Sequence, residues 1–326
     1  MSELRYNPLL NTWVIHAASR QNRPHLPKDF CPFCPGSGQV PDTYDVLVYK
    51  NDFPVLSEMP SAVEEHPHPL YGTTEAYGRA EVILYSPDHN ASFGSLKRAH
   101  IERIIQVWKE RNDELSTDPK IEYVFPFENR GEEVGVTIHH PHGQLYAYSW
   151  VPPKVEEELS NSIDYYHTQG FNLFDVITNI ERKDGKRWLY ENDHFVAYLP
   201  YFTDYPFGVF VVAKDAIANL SEFTPAHIKS LADILKVITN AFDRIYDKPF
   251  PYMMVTHQSP VNKGGYEYAN EFYRFHIEFY PPLRDKDKIK WYASSEMGAW
   301  VATNPNSLEE CAELLRSKIA EVSKYE

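Results

Sequence analysis

Basic charge is scarce in this chain: 32 Lys and Arg stand against 46 Asp and Glu, a formal net charge of −14. Proteins that grip nucleic acid through its phosphates need a basic surface, so the balance argues against a nucleic-acid partner. A small phosphorylated ligand stays compatible, because the field inside a pocket is set by its own nearby groups. Cysteine is nearly absent, with three in 326 residues, which leaves no disulfide framework. No apolar run approaches the roughly 20 residues of a membrane span. The start, MSELRYNPLLNTW, lacks the basic-then-apolar pattern of a secretory signal. Together these absences predict a soluble cytoplasmic protein with no membrane partner. Glycine (14) is rarer than proline (25), so its connections are many and stiff.

What is plentiful is aromatic: 23 Tyr and 18 Phe within a chain that is 43% hydrophobic. That is enough to bury a large core, as one big domain or two fused ones. Amphipathic periodicity predicts a helix over Phe93–Leu115, with Leu96, Ile101, Ile104, Ile105 and Trp108 on one stripe. A second helix opens at Thr224 as N-cap with Pro225 in first position, and its stripe runs Ile228, Leu231, Ile234, Leu235, Ile238, Phe242, Ile245. A third begins at Ser307, with Glu310 completing a capping box ahead of Leu314 and Leu315.

Strand-like runs flank the first two helices in the same order. EVILYS precedes the first, and EYVFPFENRGEEVGVTIHH follows it. GVFVVA precedes the second, and PYMMVTHQS and then FYRFHIEFY follow it. VYKNDFPVL also resembles LYENDHFVA, and ILYSPDH resembles FVVAKDA. One ancestral unit reads as duplicated. The expected organisation is a first half over 1–160, a connector over 161–186 and a second half over 187–326.

Four patterns carry chemistry. CPFC, Cys31 to Cys34, has the bite of two thiolates on one tetrahedral ion, or is a pair of inert thiols in a Pro-rich loop. With no second such pair, other ligands would be histidines, and His89 and His140 are candidates. In FYRFHIEFY, alternation sets Tyr273, Phe275, Ile277 and Phe279 on one face and His276 with Glu278 on the other. His276, Glu278 and the neighbouring His257 could chelate a cation; on their own they read as a solvated polar face. HHPHGQ joins three histidines to Gly143 and Gln144. An imidazole can attack phosphorus, with a glycine giving access along the attack line and an amide N–H₂ donating to the phosphoryl oxygens. Arg20 and Arg23 can grip phosphate, or simply face solvent.

Taken in order, ELRYNPLLNTWVI, SRQNRP, CPFC, NDFPVL, SPDH, FENRG, HPHGQLYA and FHIEFYPPL resemble the galactose-1-phosphate uridylyltransferase family of the histidine-triad superfamily over nearly the whole length. The resemblance implies an α+β fold of duplicated histidine-triad-like units, mainly antiparallel sheet forming an open half-barrel with flanking helices. It implies a double displacement: UDP-glucose gives UMP to His142, and galactose 1-phosphate takes it. By the same resemblance Gln144 binds a phosphoryl oxygen, Arg20 and Arg23 meet the diphosphate, and Asn51, Asp52, Asn129 and Thr137 line the nucleotide pocket. Cys31, Cys34, His89 and His140 match structural zinc ligands. Glu158, His257 and His276 match a second metal site for iron or zinc, where Glu278 replaces the usual fourth histidine. Lys290 and Glu296 match acceptor-side residues, with Lys290 reaching into a partner subunit of a homodimer, and Ala302 stands where the family often has glutamine. The closest rival within enzymes is a related nucleotidyltransferase or phosphorylase on an ADP-sugar or another hexose 1-phosphate. The rival from another class is a non-catalytic nucleotide-binding protein.

Overall fold

Strand alternation decides the central layer: residues of one parity are buried beneath helices, while the other parity carries the polar chemistry. The computed structural model describes residues 2–22 and 30–322. The chain opens with strands β1 (Ser2–Asn7), β2 (Thr12–Ala17), β3 (Leu47–Lys50), β4 (Thr73–Glu75) and β5 (Gly78–Leu84). Helix α1 (Arg98–Leu115), β6 (Tyr123–Arg130) and β7 (His142–Tyr148) follow. Helices α2 (Pro153–Gln169) and α3 (Leu173–Asp184) lead to β8 (Trp188–Glu191), β9 (Phe195–Tyr198), β10 (Phe210–Ala213) and α4 (Pro225–Asp243). Then come β11 (Tyr252–His257), α5 (Ala269–Phe272), β12 (His276–Tyr280), a hairpin of β13 (Leu283–Asp285) and β14 (Lys288–Ile289), α6 (Ser294–Ala299) and α7 (Leu308–Val322).

Nine strands form one sheet in the order β3-β5-β7-β6-β11-β12-β10-β9-β8, open at both edges, and β2-β1-β4 form a small separate sheet. Every pairing in the large sheet is antiparallel. This is the predicted α+β class with an open antiparallel sheet. Outward from the β6–β11 junction the order is β7-β5 on one side and β12-β10 on the other, so the sequence repeat is visible as pseudo-twofold symmetry. Residues 161–186, the expected connector, form the rest of α2 and α3.

Helices α1 and α4 lie on one face of the sheet, and their stripes merge with Leu145, Ala147, Val211, Met254, Ile277 and Phe279 into the main core. Each fully buried Ile or Leu contributes about 1.5–3 kcal/mol, so this packing outweighs intrinsic helix propensity in holding both helices. A buried polar bridge links distant segments: Gln258 Nε2 donates to Asn112 Oδ1 (3.0 Å) and Val124 O (2.7 Å), and Asn112 Nδ2 donates to Asn219 Oδ1 (3.0 Å). Among the described residues no helix is long and apolar enough to cross a membrane.

Helix α4 starts where its cap predicts, with Thr224 Oγ1 accepting from His227 N and His227 Nδ1 accepting from Thr224 N. Helix α1 starts at Arg98 rather than Phe93. The intervening residues are held in a turn, because Lys236 Nζ and Asn240 Nδ2 of α4 both donate to Gly94 O. In α7, Ser307 caps Glu310 as expected and Leu315 is buried, but Leu314 is exposed. FYRFHIEFY is a strand only from His276, since α5 ends at Phe272. Tyr273 therefore falls outside the alternation. It packs beside His276 and belongs to the cluster on that side, whereas Phe275, Ile277 and Phe279 enter the main core.

Candidate functional site

At the start of β7, the Cys31, Cys34, His89 and His140 side chains converge, with their donor atoms all within 4.8 Å of one another. Cys34 Sγ lies 3.4 Å from His89 Nδ1 and 3.6 Å from His140 Nδ1. His140 Nε2–H donates to Ser86 O at 2.8 Å, which sets the lone pair on Nδ1, toward the sulfurs. Tyr44 supports that ring: its hydroxyl is 2.9 Å from His140 Nε2 and donates to Phe33 O at 2.8 Å. Burial pushes the His140 imidazole down to about 4, so it is neutral in the absence of an ion. This group could hold a metal ion.

His142 opens β7, two residues after His140. Its Nδ1–H donates to the carbonyl oxygen of His140 at 2.7 Å, because a carbonyl can only accept. Nε2 therefore carries the lone pair. Phe33, from inside CPFC, packs on both rings, with centroids 6.1 Å from His140 and 5.9 Å from His142. Gln144 points to the same face of β7 as His142, and Tyr146 O–H donates to its Oε1 at 3.3 Å, which turns the N–H₂ end the other way as a donor. The β6–β7 register pairs Phe127 with Gln144, and Asn129 follows two residues further along β6, on the same face as Phe127. His142, Asn129 and His140 line one cavity of about 220 Å³.

Other expected residues lie on separate segments. Thr137 is exposed on the segment leading to His140. Asn51 Oδ1 accepts from Phe53 N (2.9 Å) and Asp52 accepts from Tyr49 O–H (3.0 Å), in the turn after β3, and Tyr49 packs edge-on against Phe33. Arg20 lies in a short 3-10 turn, Ala18–Asn22, after β2. Arg23 lies outside the described residues. His139 is exposed, 3.2 Å from Glu132. Gly143 does not open an attack line as expected: β7 alternation turns its side-chain position to the helix-covered face, away from His142.

The second group is buried, which corrects the reading of a solvated face: His276 is 0% and Glu278 1% exposed. Facing β11 and α2 supply His257 and Glu158, and the four donor atoms lie within 4.8 Å of one another. His257 Nδ1 is 2.8 Å from Glu158 Oε2, and His276 Nε2 is 3.4 Å from Glu278 Oε1. His276 Nδ1–H donates to Arg274 O at 2.9 Å, the same bond to a carbonyl two residues upstream that His142 makes. Its buried Nε2 has no hydrogen-bond partner among the described residues. A lone pair aimed at carboxylate oxygens calls for a cation or a proton between them. Lys154, which residue spacing did not single out, brings Nζ to 2.6 Å from Glu278 Oε2. Burial alone would raise Glu278, but His257 and Lys154 outweigh it and hold this carboxyl far below the usual range.

Lys290, Glu296 and Ala302 gather at this second end, not beside His142 of the same chain. Lys290 Nζ sits over the rings of Tyr292 (4.3 Å) and Tyr205 (5.2 Å), 3.9 Å from Glu296 Oε1, without a hydrogen-bond partner among the described residues. Ala302 lines a cavity of about 690 Å³ with Lys154, Asp204, Tyr205, Tyr292 and Glu278.

A third grouping, His194, Asp215 and His227, has donor atoms equally close together. Its hydrogen bonds explain it without an ion. His227 Nδ1 accepts from Thr224 N (3.1 Å), so Nε2 bears the proton and donates to Asp215 (3.1 Å). A metal on Nε2 would move the ring proton to Nδ1, against that backbone N–H.

The chain matches two family profiles: galactose-1-phosphate uridyl transferase, N-terminal domain, over residues 1–152, and the C-terminal domain of the same family over residues 158–300. A galactose-1-phosphate uridylyltransferase of Thermotoga maritima is 37% identical over 323 residues, covering 99% of this chain and 100% of that protein. A solved uridylyltransferase structure superimposes with a TM-score of 0.88 at 30% identity, covering 98% of this chain and 99% of that one. An ADP-glucose phosphorylase of Arabidopsis thaliana with bound ADP-glucose shares the fold, with a TM-score of 0.73 at 24% identity over 97% and 99% of the two chains.

Proposed function

The chain belongs to the galactose-1-phosphate uridylyltransferase family, and from that premise we propose that it is an enzyme moving UMP from UDP-glucose to galactose 1-phosphate through a uridylyl group carried on His142. One observation carries the choice of nucleophile: the 2.7 Å bond from His142 Nδ1–H to His140 O, which fixes the neutral tautomer and directs the basic nitrogen outward. Nε2 attacks the α-phosphorus, the bond to the bridging oxygen breaks, and glucose 1-phosphate leaves. Positive charge on the ring is stabilised at Nδ1–H by the His140 carbonyl. A phosphate oxygen of galactose 1-phosphate then attacks phosphorus, the P–N bond breaks, and neutral His142 returns. Gln144 N–H₂ and Asn129 donate to the phosphoryl oxygens, whose charge rises in each transition state. Arg20 and Arg23 meet the diphosphate, and Asn51, Asp52 and Thr137 border the nucleotide.

Zinc fits the first metal group. Bonds of about 2.3 Å to sulfur and about 2.0–2.1 Å to nitrogen give a tetrahedral S–N edge of about 3.6 Å. The observed 3.4 and 3.6 Å lie at that edge. The ion would anchor the loop that presents His142 rather than take part in the transfer. Glu158, His257, His276 and Glu278 fit a second ion less closely. The 3.4 Å separation suits a shared metal, whereas the 2.8 Å His257–Glu158 separation is a direct hydrogen bond. Two carboxylates make this a harder donor set that admits iron or zinc.

A homodimer and acceptor-side roles for Lys290 and Glu296 belong to the same reading. The exposed side chains of Tyr201, Phe202, Trp291, Met297, Trp300 and Val301 support a subunit contact near Lys290. The half 1–160 would hold the first metal group whole, and the second would join its Glu158 to His257, His276 and Glu278 of 187–326, in a cytoplasmic enzyme. Incubation with UDP-glucose labelled in the uridine tests the reading. It should give one UMP per chain, stable to base, labile to acid and discharged by galactose 1-phosphate. ADP-glucose should label poorly; equal labelling would favour an ADP-sugar enzyme, and no labelling of a metal-replete sample would refute the covalent step.

A further inference from the structure

Gly143 separates the nucleophile from its phosphoryl donor, and its side-chain position faces the core. On that face its strand neighbours Leu145 and Ala147 are buried, and Ile277, which follows His276 in the other half, is a core residue. Glycine here leaves a slot, and Tyr85 fills it. A Cβ built on Gly143 would fall inside contact distance of the Tyr85 hydroxyl, 2.7 Å from Tyr85 Cζ and 3.1 Å from Phe127 O. Tyr85 follows β5. Its backbone N–H donates to Pro141 O at 2.9 Å, and its ring packs on Phe93 and Trp108. On the other side of β7, Glu128 follows Phe127, which the β6–β7 register pairs with Gln144, and its side chain is buried. Tyr85 thus reaches across β7, through the space left by the glycine, toward a buried carboxyl.

Glu128 Oε1 accepts from Tyr252 O–H at 3.2 Å. Its Oε2 and the Tyr85 hydroxyl are both buried without a hydrogen-bond partner among the described residues. Both residues border the cavity that His142 and Asn129 also line. Two orphan polar atoms beneath a catalytic strand are costly and persist where something uses them.

We propose that Tyr85 and Glu128 are positioning residues for uridylyl transfer, joined through the slot at Gly143 so that they clamp the backbone between His142 and Gln144. The idea rests on the transfer reading above. Glycine has the widest backbone freedom of any residue, and here it sits between the two groups whose spacing must match one phosphoryl group. The Tyr85 hydroxyl against its Cα removes that freedom. Burial pushes the Glu128 carboxyl up to about 8, with Asp243 adding and Arg130, Tyr252 and Tyr85 opposing. At neutral pH the acid is protonated, and its O–H can satisfy the Tyr85 oxygen.

Single-turnover labelling by uridine-labelled UDP-glucose tests this, with UDP-glucose affinity and zinc content measured on the same samples. Tyr85→Phe and Glu128→Leu should slow labelling by about 10- to 100-fold, the scale of a sub-ångström to 1 Å misplacement. Affinity should stay within about twofold and zinc content should not change. Glu128→Gln, a neutral donor of the same shape, should recover most of the rate. It should also remove the fall in rate expected of the native enzyme as pH rises through about 8. Gly143→Ala should be worse than Tyr85→Leu, and the double variant no worse than Tyr85→Leu alone, because the clash is then gone. Labelling of Tyr85→Phe and Glu128→Leu at the native rate would overturn the clamp and leave the transfer reading standing. So would losses that follow affinity or zinc content. An unlabelled native enzyme would overturn the transfer reading itself.

Discussion

His142 Nδ1 lies 2.7 Å from the carbonyl oxygen of His140, so a metal-ligand candidate and the proposed nucleophile share one hydrogen bond as well as one strand end. The bond chooses the tautomer, and the anchoring of His140 chooses where the ring stands. His142→Gly should therefore lower turnover by at least about three orders of magnitude, as loss of a covalent nucleophile does. UDP-glucose binding should persist, and free imidazole should restore part of the activity. Comparable turnover in the glycine variant would place the nucleophile elsewhere.

The metal group should be tested through its supports as well as its ligands. Cys34→Ser should cost the chain one zinc by elemental analysis. Tyr44→Phe keeps all four ligands but removes the hydroxyl beside His140 Nε2, and should weaken zinc retention against a chelator by about 10- to 100-fold. Burial, reinforced by Cys31, pushes the Cys34 thiol up to about 11 without an ion, so it holds its proton at neutral pH. Zinc uptake by the stripped protein should release protons into a weak buffer, and affinity should rise with pH. Uptake without proton release would argue against thiolate ligation.

The second group gives opposite pH signatures with and without an ion. Without one, His276 is raised: burial opposes this, but Glu278 and Glu158 outweigh it. That contribution is complete below the unfolded value of about 6.5 and fades as pH climbs through the raised folded value. Glu158 and Glu278 are lowered, so theirs is present above about 4.3 and fades as pH falls through their folded values. The stripped protein should gain most from this cluster in mild acid. A bound ion needs neutral imidazoles, so its stabilisation should instead shrink as pH falls below about 6.5. Melting temperatures of stripped and loaded protein, followed from acid to neutral pH, should cross or converge; parallel curves would mean that the cluster takes no ion.

His194→Ala provides the contrast. Asp215 receives hydrogen bonds from His194 and His227 without any ion. Metal content should match the native protein while the melting temperature falls slightly. Loss of a bound metal would overturn that assignment.

Thr224→Ala removes the acceptor for His227 N at the start of α4 and should cost about 1 kcal/mol in a denaturant titration. The labelling rate should be unchanged, since Thr224 lies at the opposite end of α4 from Asp243, the residue of this helix that bonds Arg130 beside the cavity. A parallel fall in rate would show that α4 stability is coupled to the cleft.

Local patterns were legible without coordinates. The α4 cap, the Ile and Leu stripes, the repeated strand–helix–strand order and the HHPHGQ string each depend on neighbours within a few residues, so the chain's own periodicity determines them. Tertiary structure decided what distant segments do to one another. Burial of His276 and Glu278 follows from α2 covering β11 and β12, and Lys154 beside Glu278 follows from the same packing. Tyr44 supports His140 from 96 positions away. Gly143, which suggested room for a substrate, makes room for Tyr85 on the opposite face. A one-residue alternation shows which side of a strand a position faces only once the sheet has chosen which side to cover.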